Sequence, residues 1–445
     1  MFYYRRTVRT LCLAKRAWGT NTHQTSALRQ KGLLTLAVVL ALLTFANTTR
    51  ADLDINESVR LALIDDPVVA ASRARSQALS DAAVADGQLP DPTLKTGFYN
   101  VPLDNFDLRE DPATQLRLGI EQSFPRGDTL QYRQRQTEWM ATAEQAMAEV
   151  AARQVVRDVR LQFLDLYYQV QAEYIVTKSR SLFAQLVDIT RSHYATGRAS
   201  QQDVLSASLE LSRLDDRTAR IRNEEDRHRA ALNKWIGEAA QLPVNSQFPD
   251  LPALPSKDEL GAALPAHPVI GIETARLEAK HQNINIAREQ YKPGWSAGIE
   301  YRKRFGDDIS GSSRSDMMAA MVTVELPLFT AKRQDRRLAA SVQEASAVEL
   351  TRDDRLRELQ QMLNSDYANW QRQGERAALY QSRLLHEASA NARAALKSYQ
   401  SGISEFTTLM RARITDLEVR LDDLRIRVDR ASAQTKLLYL AGEKQ

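Results

Sequence analysis

DTLQYRQRQTEWMATAEQAMAEVAARQVVRDVRLQFLDLYYQVQAEYIVTKSRSLFAQLVDITRSHYAT, residues 128–196, contains neither glycine nor proline. Within it Val159, Phe163, Leu166, Val170 and Tyr174 step by threes and fours, the period of an amphipathic helix. A helix of roughly 65 residues is about 100 Å long at 1.5 Å per residue. No globular core is that deep, so the helix must find its partners along its length. Gly197 ends it, and 202–235 is again free of glycine and proline, with Leu211, Leu214, Thr218 and Ile221 in heptad register. The expected unit is an antiparallel coiled-coil hairpin over 128–236.

Outward from this hairpin, the sequence repeats itself at an offset of about half its length. Pro67-Val68 falls on Pro268-Val269, Ala74-Arg75 on Ala275-Arg276, Pro92 on Pro293 and Gly97 on Gly298 at one constant shift. Past a small insertion, Tyr194 and Gly197 fall on Tyr399 and Gly402, and Ala207 on Ala412. Their common order and spacing mark a duplication. A second hairpin is therefore expected over 332–441, interrupted at Gly374, turning at Gly402 and returning through Leu417, Leu421, Leu424 and Val428. The repeats are read as 52–241 and 269–445, with the proline-rich 242–268 as connector.

Each repeat also carries two short stretches that alternate with period two: 93–100 and 115–124, then 295–304 and 319–326. In the second, Leu116, Leu118 and Ile120 oppose Gln115, Arg117 and Glu121. In the fourth, Ala320, Val322, Val324 and Leu326 oppose Met321, Thr323 and Glu325. Eight to ten residues is close to what a tilted strand needs to cross a bilayer, about 9–11. Four strands cannot close a barrel, and an open edge in hydrocarbon leaves backbone groups unpaired. If these strands lie in a membrane, the chain must oligomerise; a small soluble sheet packed on the helices is the other reading. Arg117, Glu121, Glu300, Arg302, Thr323 and Glu325 are the candidates for a polar barrel lining. The polar loops 101–114 and 305–316 are expected outside the cell.

The first fifty residues have a different composition. Arg5, Arg6, Arg9, Lys15, Arg16, Arg29 and Lys31 precede the apolar run 33–46, followed by Thr49-Arg50-Ala51. Basic, apolar, then small-x-small describes a secretory signal cleaved near Ala51, and the run is short for a membrane span. This leader holds eight of the 60 lysines and arginines and none of the 56 carboxylates, leaving 52 against 56. The apparent basicity is thus no argument for nucleic-acid binding. Cys12, the single cysteine, also lies in the leader, so neither disulfides nor metal thiolates are expected beyond it. The six histidines show no ligand spacing, and no phosphate loop, nucleotide fingerprint or serine elbow occurs. Transport is expected rather than an enzyme, with no cofactor and no resident metal.

A duplicated unit of helix, strand pair, long helix and tip turn resembles the TolC family of outer-membrane efflux proteins. Tyr194-x-x-Gly197-x-x-Ser200-x-x-Asp203-Val204-Leu205-x-Ala207 is similar to that family's tip element. Glu325-Leu326-Pro327-Leu328-Phe329 is similar to its strand-ending element, and Ser123-Phe124-Pro125-Arg126-Gly127 is the weaker counterpart. The resemblance implies a mainly α fold with a transmembrane β part, assembling as a homotrimeric 12-stranded β-barrel with a periplasmic α-helical tunnel. It also implies partners: the lipid bilayer of the outer membrane, a periplasmic membrane-fusion adaptor and an inner-membrane efflux pump. Residues 92–127 are similar to members serving heavy-metal exporters, which makes a resistance-nodulation-division pump the candidate. At the tips the implied aperture and docking residues are Tyr194, Gly197, Arg198, Ser200, Asp203, Tyr399, Gly402 and Glu405. Where the pattern has acidic residues in the second half, this chain has Thr408 and Arg411, so an acidic ring does not carry over from there. Adaptors also carry long hairpins, but one between soluble β-domains rather than two in tandem; a soluble coiled-coil scaffold is the other alternative.

Overall fold

The computed structural model describes residues 52–64 and 66–442; the signal segment and its cleavage after Ala51 lie outside them. The first repeat runs α1 (Ile55–Ile64), α2 (Pro67–Asp86), β1 (Thr93–Tyr99), β2 (Gln115–Phe124), α3 (Thr129–Ala195) and α4 (Gln201–Ile236). After α5 (Lys257–Ala263), the second repeat runs α6 (Pro268–Glu289), β3 (Gly294–Arg304) and β4 (Met317–Glu325). It continues with α7 (Gln334–Leu379), a π-helical turn (Tyr380–Leu384), α8 (Leu385–Gln400) and α9 (Phe406–Ala441).

The hairpins are duplicated residue for residue. α3 has 67 residues, and segments of 46, 5 and 16 residues match that length in the second repeat; both return helices have 36. The shift between hairpins is 205 positions, Thr129 to Gln334, whereas β1 and β3 keep the shorter shift of Gly97 to Gly298. Much of the difference is the strand-to-helix joint, four residues after β2 and eight after β4. The π turn in one hairpin only was not legible in the sequence.

α2 and its counterpart α6 start in the same way. Asp66 caps α2 by accepting from Val68 and Val69 N–H at 2.9 and 3.0 Å, with Pro67 in the first turn. His267 replaces it before Pro268 and accepts from Val269 N–H through Nδ1 at 3.3 Å. Burial holds this imidazole neutral, its pKa lowered to about 4, which keeps Nδ1 free to accept.

α3 is the central helix, packing against α2, α4, α6 and α9. Val159, Phe163 and Leu166 are fully buried, and the stripe continues through Ala172, Val176, Phe183 and Val187. Tyr174, expected on that stripe, is exposed instead. Steps averaging more than 3.6 residues drift around a straight helix, by about 60° between Val159 and Tyr174. In α9 the expected seam Leu417, Leu421, Leu424 and Val428 is buried throughout. The connector carries more structure than its composition suggests. Ser256 and Glu259 form a capping box on α5, and Leu260 and Leu264 join a small core with Leu359, Leu363, Leu437 and Leu440.

One antiparallel sheet has the order β1-β2-β3-β4. β1 ends at Tyr99, one residue short of the expected 93–100. β4 begins two residues earlier than the expected 319–326, because Met317 and Met318 still pair with Arg302 and Tyr301, and ends before Pro327 approaches. Every joint between helix and strand contains proline: Pro90 and Pro92 before β1, Pro125 after β2, Pro293 before β3 and Pro327 after β4. Without an N–H, proline prolongs neither a helix nor a central strand, so the elements change direction there. Among the described residues no helix is long and apolar enough to cross a membrane.

Candidate functional site

Two regions stand out, the sheet and the hairpin tips. In the sheet the register aligns Leu94, Ile120, Ile299 and Ala320 across all four strands, and Thr96, Leu118, Tyr301 and Met318 in the next outward row. Leu94, Phe98, Leu118, Ile120, Ile299, Val322 and Val324 are all exposed, a continuous apolar face that no described residue covers. Aromatic rings bound it: Phe124 stacks on Trp295 at 3.9 Å at one end, and Phe98 lies 6.4 Å from Phe305 at the other. Ten residues of β2 tilted by about 40° span about 25 Å, the height of the apolar band on a transmembrane barrel.

The opposite face is charged. All six lining candidates lie on it: Arg117 opposite Arg302, Glu121 opposite Gly298, Glu300 opposite Gly119, Thr323 opposite Ser296 and Glu325 opposite Gly294. Glu300 takes Arg302 at 2.5 Å and Arg117 at 3.9 Å, and Lys95 pairs with Glu121. Arg117 also lies over the Tyr99 ring, 3.9 Å from its centroid. Gly97, Gly119 and Gly298 share this face and leave room for these long side chains. Met317 and Met321 fall on the charged side and Met318 on the apolar side. Among the described residues no cluster of histidine, cysteine or carboxylate side chains could hold a metal ion.

Above the sheet, Arg314 Nη1 donates to the carbonyls of Arg109, Asp111 and Phe305 at 3.2, 3.3 and 2.9 Å and ties the two strand-pair loops together. Below it, Arg126 donates to Gln290 O at 2.8 Å and pairs with Glu325 at 2.9 Å, fixing the exit of β2 against α6 and β4.

At the tips, Gly197 and Gly402 have φ of +70° and +72°, a left-handed turn that glycine adopts without strain. Ser200 and Asp203 form a capping box on α4: Asp203 N–H donates to Ser200 Oγ at 3.2 Å, and Asp203 Oδ2 accepts from Ser200 N–H at 2.9 Å. Asp203 thus has a structural use at the helix start, as its position allows. Ser200→Ala is expected to cost about 1 kcal/mol, visible as a small fall in thermal midpoint, with Ser200→Asp retaining most of it. On the second tip Glu405 occupies the N-cap position of α9 without a side-chain capping bond.

The paired tyrosines diverge. Tyr399 is 8% exposed, wedged against His193 and Phe406 with ring centroids at 5.5 and 5.7 Å, whereas Tyr194 is 51% exposed. A cleft of about 900 Å³ between the tips is lined by Gly197, Arg198, Ser200, Asp203, Tyr399, Gly402 and Glu405. Seven of the eight expected tip residues thus meet in one place, and Tyr194 stands outside. Sequence reasoning missed His193, whose only signal is its place beside Tyr194.

The chain thus joins a sheet with an apolar face of bilayer height and a charged reverse to two hairpins whose long arms each span 67 residues. Residues 260–443 match the family described as Outer membrane efflux protein. Curated protein sequences give no match. Solved structures agree over nearly the whole fold. The chain is similar to the outer membrane protein VceC from Vibrio cholerae, at 17% identity, TM-score 0.72, covering 87% of this chain and 96% of that one. It is similar to the Campylobacter jejuni CmeC outer membrane channel at 12% identity, TM-score 0.74, with 88% and 86% covered. The outer-membrane channel OprN gives 17% identity, TM-score 0.73 and 88% and 90%.

Proposed function

We propose that this chain assembles as a homotrimer whose twelve strands close one barrel in the outer membrane, with its helices forming a periplasmic tunnel. It passively conducts solutes received from a periplasmic membrane-fusion adaptor and an inner-membrane efflux pump, of which the resistance-nodulation-division type is the candidate. The observation that carries this reading is the four-stranded sheet itself. Its β1 and β4 edges are unpaired among the described residues, while its apolar face is exposed over the height of a bilayer. Only closure with further strands satisfies both in lipid.

In this reading Arg117, Glu121, Glu300, Arg302, Thr323 and Glu325 face the water-filled lumen, and a signal segment ending near Ala51 is removed on export. Residues 52–241 and 269–445 act as the two efflux repeats, joined by 242–268. The tip cleft is the periplasmic aperture, with Arg198, Ser200 and Glu405 as adaptor-docking residues. The family match favours the channel over the adaptor reading. Reconstitution of the mature protein in planar bilayers is the test: trimers with discrete conductance steps are expected. A protein that stays monomeric and insulating overturns the reading.

A further inference from the structure

Two features of the chain are left without partners, and the duplication relates them. α3 of the first repeat packs against α6 and α9 of the second, in addition to its own α2 and α4. Among the described residues its counterpart α7 packs mainly against α6 and α9, with smaller contacts to α5 and the turns beside it. In the sheet, β2 of the first repeat pairs with β3 of the second, while the outer edges of β4 and β1 have no neighbour among the described residues. A single operation supplies both: the second repeat of one copy meets the first repeat of the next as the two repeats meet within one chain. α7 then receives α2 and α4 of the next copy, and β4 receives its β1. This rests on the trimeric reading above and goes further, because the 205-residue shift names the residues at the new seam.

Within one chain, Tyr399 closes the tip seam. It packs on His193, with Thr190 and Asp203 near its hydroxyl, which makes no hydrogen bond among the described residues. Applying the shift, the residue in Tyr399's place between copies is Tyr194. The positions facing it on the neighbouring hairpin are Ala395, Ser398 and Thr408, where the chain's own seam has Thr190, His193 and Asp203. Ser398 is half-buried and Tyr194 is largely exposed, so the ring has space to dock. The seam between copies therefore lacks the facing ring that packs on the tyrosine within a copy.

We infer that Tyr194 of each copy docks against Ser398 and Thr408 of its neighbour, and that these three inter-copy seams, less tightly held than the Tyr399 seams, part first when the tips open. This assigns Tyr194 a partner, a second copy of this chain, and explains why the equivalent tyrosines differ so much in burial.

Cysteine pairing tests the contact, since Cys12 is the only native cysteine. In a Cys12→Ser background, one tagged copy carries Tyr194→Cys and a second, differently tagged copy carries Ser398→Cys, so a disulfide between them is necessarily inter-copy. The expected result is a covalent pair of the two tagged chains from detergent-extracted trimers. His193→Cys and Tyr399→Cys placed in separate copies give none, although both in one chain do bridge. Trimers without the Tyr194–Ser398 bridge overturn the seam and leave the channel reading standing; absence of trimers overturns both. For the order of opening, Ser398→His gives the looser seam the ring that packs on Tyr399 in the tighter one. A severalfold lower open probability in planar bilayers is expected, and unchanged conductance sinks the claim that this seam yields first.

Discussion

Ile299→Arg is expected to remove the protein from the outer membrane. Ile299 is 56% exposed in the middle row of the outward face, level with Leu94, Ile120 and Ala320. A guanidinium at the bilayer midplane of a barrel costs about 2–4 kcal/mol. Every copy brings one, so a closed trimer accumulates about 6–12 kcal/mol against insertion, comparable to the whole stability of a folded domain. Membrane fractionation should find the variant in the soluble or degraded pool. Thr323→Arg, on the charged face of the same sheet, adds the same group where water is expected and should insert normally, changing ion selectivity instead. If the two variants partition alike, the assignment of faces is wrong.

The second large effect is expected at Gly127. This residue has φ +48°, and a Cβ built there would lie 1.7 Å from Glu289 Oε2 and 2.5 Å from Lys292 Cδ. Glu289 is only 6% exposed and does two jobs at once: Oε2 accepts the Asp128 N–H at 2.8 Å and pairs with Lys292 at 2.7 Å. Gly127→Ala must therefore displace a buried carboxylate as well as strain the backbone. The expected loss is about 3–5 kcal/mol, adding a left-handed penalty of 1–2 to an orphaned buried group. Gly197→Ala serves as the reference. Its φ is +70°, but an added Cβ meets nothing within 4 Å, so only the backbone penalty of about 1–2 kcal/mol applies. Thermal unfolding of the purified trimers should show Gly127→Ala clearly lower than Gly197→Ala. Equal midpoints would mean that the joint at Glu289 is softer than its geometry implies.

The long helices were legible because 69 consecutive residues without glycine or proline leave few other options, and the hairpins because Gly197 and Gly402 interrupt them at equivalent places. The strands were legible through alternation, although β4 began early: Met317 and Met318 carry no alternating signal, yet they complete ladder pairs with Arg302 and Tyr301. The inward candidates fell on one face because period two fixes facing once the register is set. What stayed hidden depends on contacts between distant segments. The different burial of Tyr194 and Tyr399 follows from which hairpin lies beside which, and local sequence is the same Tyr-x-x-Gly in both. The helix in the connector was obscured by prolines that flank it rather than interrupt it.

The prolines at the four helix-to-strand joints have a geometric consequence for the closed ring. Twelve helices side by side, at about 9 Å between axes, need a circumference of about 110 Å. Twelve strands 4.8 Å apart and tilted by about 40° need only about 75 Å. The wall must therefore step inward by roughly 5 Å in radius where helix gives way to strand. Pro90, Pro92, Pro125, Pro293 and Pro327 sit at that step on every stave, and the longer joint after β4 gives one wall element of each copy extra slack to cross it. In the proposed trimer the duct is thus narrower in circumference at its strands than along its helices, and the shoulder that reconciles its two bores is built from residues that can belong to neither lattice.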